Sequence, residues 1–472
     1  MPLYLAWPGA GLADTAPHDP PREGGALRRL FHSLNINGYL KNETAFRFDE
    51  PRSITKIRNI AYLSVNRPWG DRGGLTLSAW AYYDLAYDLF DYQTITARPE
   101  REREQPLVFI ENLDEEKDSP VAQIRELYVD LFLDAADIRI GKQYVVWGVL
   151  EGIRITDEIN PLDFRELIMP DLLDYRIPLW TLRADFYGEN NDYEFLWIPD
   201  LRFHKPAPKG SEWELLQRVP GTEEPEPSLE NSEVGLRVSR NVLGAEVSLS
   251  YFWTWDDFPV VFRTVKINSA QEPVFFPTYT RINIFGGTLV KPMGDFVLKG
   301  EVAYVPDKYF GLAGDVDEDH DGYLDSQGEL KKKHVRWGLG VDFSMWGADL
   351  SPAITQWIIL DYDKGLIQDR YDTSLTLYAR KPMPEKSAVF ELLAIGLVNL
   401  RELYLNPEMT FDITDNFQIA SGLDLFYGEK SRFGVSGSSS GVAALNTSEQ
   451  SAQFFGNFND NDRIYVEFKY AF

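Results

Sequence analysis

From Leu34 onward apolar side chains recur at every second position, not at the three-and-four spacing of a helix face. In Leu75–Asp91 the odd positions are Leu75, Leu77, Ala79, Ala81, Tyr83, Leu85, Tyr87 and Leu89, separated by Thr76, Ser78, Asp84 and Asp88 among others. Leu127, Val129, Leu131 and Leu133 alternate with Glu126, Tyr128, Asp130 and Asp134. Val247, Leu249, Tyr251, Trp253 and Trp255 alternate with Glu246, Ser248, Ser250 and Thr254. Period two with one polar face marks a strand that is apolar on one side and wet on the other. Repeated along nearly the whole chain, it predicts a single large antiparallel sheet. The last ten residues carry the pattern most sharply: Ile464, Val466, Phe468, Tyr470 and Phe472 point one way, and Arg463, Tyr465, Glu467, Lys469 and Ala471 the other.

The alternation predicts strands near 34–48, 54–66, 75–92, 121–133, 138–148, 179–187, 192–200, 232–240, 245–257, 280–290, 296–306, 334–344, 350–360, 371–381, 386–398, 403–413, 417–428 and 462–472. After the first hairpin the connections alternate in kind. Short turns such as Asp134–Asp137, Gly188–Asn191, Asn241–Gly244, Lys291–Asp295 and Thr414–Asn416 fall on one side. Long polar segments, 93–120, 149–178, 201–231, 307–333 and 429–461, fall on the other. Strands of about 9–11 residues cross a bilayer, and closing them into a barrel leaves no unpaired edge. The fold class is therefore all-β, a transmembrane antiparallel β-barrel of sixteen to eighteen strands, over residues 34–472, with short periplasmic turns and long extracellular loops. Two stretches fit poorly. In Ile138–Trp147 the parity of Ile138 and Ile140 brings Lys142 to the apolar face, and Gly141 is a place for a register-shifting bulge. Ser387–Val398 is apolar on both faces apart from Glu391, as if something packs it from inside.

Composition sharpens this picture. The 472 residues carry a net charge of −26, 14% aromatic residues and no Cys. The acidic balance argues against a nucleic-acid partner, which needs clustered Lys and Arg. The absence of Cys removes thiolate catalysis and Cys-based metal sites. No apolar run is long enough for a transmembrane helix, so the rings belong to the lipid-facing strands and their interfacial girdles. Met1–Ala13 (MPLYLAWPGAGLA) reads as the tail of a signal peptide, and residues 14–33 as a flexible periplasmic segment.

Gly141–Gly148 (GKQYVVWG), Ile155–Glu166 (ITDEINPLDFRE) and Arg176–Tyr187 (RIPLWTLRADFY), with the terminal strand, resemble a proteobacterial outer-membrane barrel family known only as a domain of unknown function. The likeness is clearest over Arg125–Tyr187. The closing Phe472 resembles the C-terminal signal through which outer-membrane barrels engage the barrel assembly machinery. Members look like porins or alginate-export barrels, and are often associated with inner-membrane exporters of the resistance-nodulation-division class and an outer-membrane lipoprotein. The resemblance implies passage or export of a small solute, hydrophobic compounds included. It transfers no functional residue.

Three sets of residues could carry chemistry. The loop Gly314–Leu330 reads GDVDEDHDGYLDSQGEL. Asp317, Asp319 and Asp321 followed by Gly322 reproduce the start of a D-x-D-x-D-G calcium loop, in which alternate carboxylates converge on one cation. Tyr323 would add its carbonyl, Asp325 a ninth-position ligand, and Glu329 the final acid, one place later than in an EF-hand. The alternative is an acidic solvated loop. In 149–178, the charges Asp157, Glu158, Asp163, Arg165, Glu166, Asp171, Asp174 and Arg176 are mixed with Ile153, Ile155, Ile159, Leu162 and Phe164. Such a segment is expected to fold into the lumen as a constriction, Arg165 and Arg176 facing acids across the pore; an external cap is the alternative. By parity Glu126, Asp130, Arg183, Asp185, Glu194, Arg237, Arg463, Glu467 and Lys469 line the interior. No G-x-S-x-G, H-E-x-x-H, Walker A or dinucleotide fingerprint occurs. The expected function is a non-enzymatic outer-membrane channel, with the bilayer and a small solute as partners. The alternative is a structural or docking barrel that meets periplasmic or inner-membrane exporter components or sheathes a partner protein.

Overall fold

The computed structural model describes residues 5–6, 34–91, 94–95, 123–169, 172–207, 212–213, 223–263, 275–312, 327–429 and 454–472. Eighteen strands close into one barrel in which every strand pairs with its sequence neighbours, all antiparallel. They are β1 Asn35–Arg47, β2 Ser53–Pro68, β3 Gly73–Asp84, β4 Gln123–Phe132, β5 Ala136–Gln143, β6 Leu179–Tyr187, β7 Asp192–Ile198, β8 Glu233–Val242 and β9 Ala245–Trp255. The second half is β10 Arg281–Met293, β11 Phe296–Gly311, β12 Glu329–Met345, β13 Ala348–Ile359, β14 Tyr371–Met383, β15 Ala388–Leu397, β16 Glu402–Asp412, β17 Phe417–Tyr427 and β18 Arg463–Ala471. β1 pairs with β18 from Tyr39–Ala471 to Arg47–Arg463, and Gly38 and Phe472 exchange backbone hydrogen bonds of 3.0 and 2.9 Å beyond the last pair. Apart from the strands of the wall, Leu5–Ala6 pair with Gly152–Ile153, and Val260–Arg263 with Phe275–Thr278.

Each predicted strand has its counterpart, with three informative differences at the ends. The alternation that ran to residue 92 stops at Asp84, where one carboxylate oxygen accepts from the backbone N–H groups of Ile57 and Ala86 at 2.9 and 3.0 Å. The short helix Ala86–Leu89 follows at once. β5 ends at Gln143, five residues earlier than expected, because loop side chains take its next donors: Asn160 Oδ1 accepts from Val145 at 2.8 Å and Asp157 Oδ1 from Trp147 at 3.3 Å. The acidic connection is shorter than 307–333, since β11 runs to Gly311 and β12 starts at Glu329. The expected bulge at Gly141 is absent. Pairing with β4 and β6 continues in register through it, and the irregularity is torsional. Gly141 sits at φ 137°, where a Cβ would lie 2.1 Å from the Leu127 carbonyl oxygen.

The turns 133–135, 188–191, 243–244, 294–295, 346–347 and 413–416 gather at one end with both termini of the barrel, as expected. Most connections at the other end are long; 48–52 and 398–401 are the short ones there. Outward positions are apolar and open to the surroundings, Leu236, Leu249, Val302, Leu339 and Leu375 among them. At the short-turn end the exposed outward residues become aromatic: Phe186, Tyr193, Phe296, Phe411, Tyr470 and Phe472, with Trp346 in a turn. Phe46, Trp180, Tyr371 and Tyr427 are exposed towards the other end. An apolar band between aromatic girdles is the surface a bilayer requires. Leu249 is 68% exposed on the outer face. Leu249→Arg should lower the barrel's folding stability in lipid by about 2–4 kcal/mol, read as a shift in the denaturant midpoint of heat-modifiable gel mobility.

Candidate functional site

After Gln143 the chain turns inward, and residues 144–169 and 172–178 fold inside the barrel instead of over it. Val145, Trp147, Leu150, Ile155 and Ile159 are buried against inward side chains of one wall: Leu196 and Ile198 of β7, Phe252 of β9, Ile284 of β10, and Ala303 and Val305 of β11. Ile153, Leu162, Leu167 and Tyr175 join a second cluster with Leu393, Ile395 and Leu397 of β15, Tyr404 of β16 and Phe426 of β17. Phe454, Phe455 and Phe458, from the segment before β18, complete it. β15 is apolar on both faces for this reason: one face meets lipid and the other meets the inserted loop.

Polar contacts fasten the loop to opposite walls. On β11, Glu301 accepts from the backbone N–H of Val149 and Leu150 at 2.5 and 2.6 Å, and from the backbone and hydroxyl of Thr156 at 3.1 and 2.7 Å. Arg336 of β12 pairs with Glu158, and Lys299 of β11 with Glu151 at 3.2 Å. Across the barrel, Lys56 of β2 reaches Glu166 at 2.6 Å and Arg58 pairs with the same carboxylate. Both cations also hold Glu43 of β1, at 2.7 Å each, as does Lys41 at 2.7 Å. Arg125 of β4 donates to the carbonyls of Arg176 and Asp174 at 2.9 and 3.2 Å. A segment bonded to β2 and β4 on one side and to β11 and β12 on the other must cross the lumen.

Inside the loop, Arg154, Asp157 and Arg176 are almost wholly buried. Arg176 is hydrogen-bonded to the Asp157 carboxylate, while Arg154 donates to the backbone carbonyls of Asp157 and, at 3.0 Å, of Asn160. Asn160 donates back to the Ile177 carbonyl at 2.8 Å, joining the two ends of the loop. Burial acts to raise the Asp157 pKa, but Arg176 and then Arg154 outweigh it and hold the carboxyl below its usual range.

The expected lumen residues are thus brought to the interior, in a different pairing. Arg165 and Arg176 do not face acids across a gap. Arg165 grips Asp163 two residues away, at 2.7 and 2.8 Å through Nε, and Arg176 grips Asp157. The guanidinium groups stitch the loop to itself, and the wall supplies cations to other acids of the loop, Glu151, Glu158 and Glu166. Arg183 and Asp185 lie on the β6 wall, Arg183 bonded to Asp185 at 2.9 Å and near Glu194 at 3.2 Å. Arg154, Glu301, Arg336, Lys56 and Arg58 were not singled out from the sequence. The parity of β11 and β2, in which Lys299, Glu301, Lys56 and Arg58 alternate with apolar residues, carried the signal for most of them. Of the calcium set, Asp317, Asp319, Asp321, Tyr323 and Asp325 lie outside the described residues, and Glu329 opens β12 opposite Gly311. Among the described residues no group of three or more His, Asp or Glu is arranged to hold a metal ion.

A closed antiparallel barrel, apolar and ring-girdled outside, polar and crossed by a folded loop inside, is an outer-membrane β-barrel. The chain belongs to the family described as protein of unknown function (DUF1302), which matches residues 58–472. Among solved structures it is similar to Acinetobacter baumannii OccAB2, at 9% identity and a TM-score of 0.51 over 93% of this chain and 98% of that one. It is similar also to OccAB4 of the same organism, at 8% identity and a TM-score of 0.50 with the same coverage. These likenesses are of fold. No curated protein sequence matches.

Arg176→Ala removes the cation hydrogen-bonded to the buried Asp157, leaving only Arg154 at 3.7 Å, and should loosen the loop's packing by up to about 3–5 kcal/mol. New cleavage sites within 144–178 in limited proteolysis of the folded barrel would show it, and Arg176→Lys should recover part of the protection. Because the Asp157 pKa is depressed on folding, its contribution is in full force above about pH 4, the ordinary Asp value. It is lost as pH falls through the folded-state value. Loop protection should therefore decline below about pH 4, and a decline of equal size in Asp157→Asn would assign it to another group.

Proposed function

We propose that the protein is an outer-membrane channel whose lumen is narrowed by residues 144–178, and that it passes or exports a small solute, compounds with apolar parts included. The observation that supports this most directly is the anchoring of that loop to both walls. A loop so fixed sets the size and polarity of whatever path remains, as rings of fixed charge do in other pores. A barrel of eighteen strands is wide enough to hold an aqueous lumen unless something fills it. Reconstitution into planar bilayers tests the reading: discrete open-channel steps are expected, and removal of Ile155–Leu173 should raise single-channel conductance. An unchanged conductance would sink the constriction, and a wild-type barrel that never opens would favour the docking or structural role.

We further propose that the acidic connection between β11 and β12 binds calcium in a structural role. Its ends are already closed against one another, Leu312 donating to the Gly328 carbonyl at 2.8 Å. Asp317, Asp319 and Asp321 have the alternate spacing that suits one oxygen-ligated cation, and Tyr323, Asp325 and Glu329 would complete the shell. Calcium should protect this connection from protease in the intact barrel, and Asp317→Ala with Asp321→Ala should abolish that protection. A wild type equally sensitive with calcium and with a chelator would leave the loop merely acidic.

A further inference from the structure

The long-loop end of the barrel contains a cavity of about 180 Å³, bounded by the outer ends of β11, β12 and β13 and by the connections that follow β9 and β13. Its inner surface is aromatic. Phe310 of β11 meets His334 of β12 edge-on at 5.4 Å between ring centroids, and His334 meets Trp357 of β13 edge-on at 5.7 Å. His334 is 3% exposed, and its Nδ1 has no hydrogen-bond partner. Two further lining atoms share that condition: Oε1 of Gln368, in the β13–β14 connection, and Oδ1 of Asp372 at the start of β14. Three buried polar atoms without partners around one cavity are a concentration that folded proteins avoid unless something else satisfies them. Two of the three are acceptors. The charge around the cavity points the same way, for Asp256, Glu329, Asp369 and Asp372 line it against a single Lys308, which is bonded to Asp256.

We propose that this cavity binds a small ring-bearing compound carrying a protonated amine or comparable N–H donor, at the outer mouth of the channel. The ring lies against Phe310 and Trp357, and the donor group is shared between Asp372 and Gln368. A cavity of roughly 150 Å³ holds a benzene ring, so the volume suits one ring with a short substituent and excludes fused polycyclic compounds. The inference rests on the channel reading, and gives it a chemical class of solute.

The experiment is calorimetric titration of phenethylamine into the detergent-purified full-length barrel, corrected for empty micelles, with phenylacetate titrated in parallel. Saturable one-to-one binding of phenethylamine is expected, with no saturable binding of phenylacetate. Asp372→Asn should weaken the amine at least tenfold. His334→Phe keeps the aromatic lining and removes Nδ1, and should weaken it by less. If Asp372→Asn fails to give a heat-modifiable barrel, Gln368→Leu in the connecting loop reads the same contact. Absence of saturable amine binding, equal binding of phenylacetate, or an unaltered affinity in both acceptor variants overturns the proposal. The two readings fail separately: a barrel that conducts but does not take phenethylamine loses the site alone, and one that takes it but never conducts loses the channel alone.

Discussion

In hydrocarbon there is no water to meet a bare amide or carbonyl, and each unsatisfied group costs several kcal/mol. The pairing of β1 with β18 answers that constraint, because without it two strands would each present a row of open donors and acceptors to lipid. Closure in turn imposes the two-residue alternation on every strand. One set of side chains must dissolve in lipid and the next must not. Thus Leu249 faces lipid while Ser248, beside it, shares a 2.6 Å hydrogen bond with Thr288 on the inner face.

A ring of eighteen strands also creates a problem, since its interior is wider than side chains from the wall can fill. This chain fills part of it with its own loop, and the packing uses both kinds of force. Apolar residues of 144–178 complete two clusters begun by the wall, and carboxylates of the loop are met by Lys56, Arg58 and Arg336. Glu402 makes a similar anchor elsewhere in the interior, accepting from the backbone N–H groups of Phe454, Phe455 and Gly456 at 2.9 to 3.1 Å. At Glu402, as at Glu301, a buried acid is satisfied by backbone donors that have no strand neighbour, which resolves two desolvation costs at once.

The strands were legible because period two is a local property, and one face in water writes it plainly. Ser387–Val398 shows the same logic at its limit. Its lack of alternation correctly signalled an inner packing partner, but Ile153, Leu162 and Leu167 lie more than two hundred residues earlier, beyond any local pattern. The inward course of 149–178 was legible from its mixture of charged and apolar residues. Its pairing was not, because Arg176 has acids on every side in sequence and only the fold selects Asp157. β5 was overextended for a related reason: Tyr144–Trp147 could continue a strand, and the side chains of Asp157 and Asn160, supplied from further along, take its donors instead. The cavity at the outer mouth had no sequence signature at all, since Phe310, His334, Gln368 and Asp372 come from separate strands and a connecting loop.

The two-sided anchoring of the loop has a bearing on the order in which the molecule can be made. Glu158 meets its partner Arg336 across 178 residues of chain, and Glu166 reaches back 108 residues to Arg58. The loop therefore cannot be fully seated until β11 and β12 stand opposite β2 in the wall, whereas its internal stitch of Arg176 and Asp157 needs no strand at all.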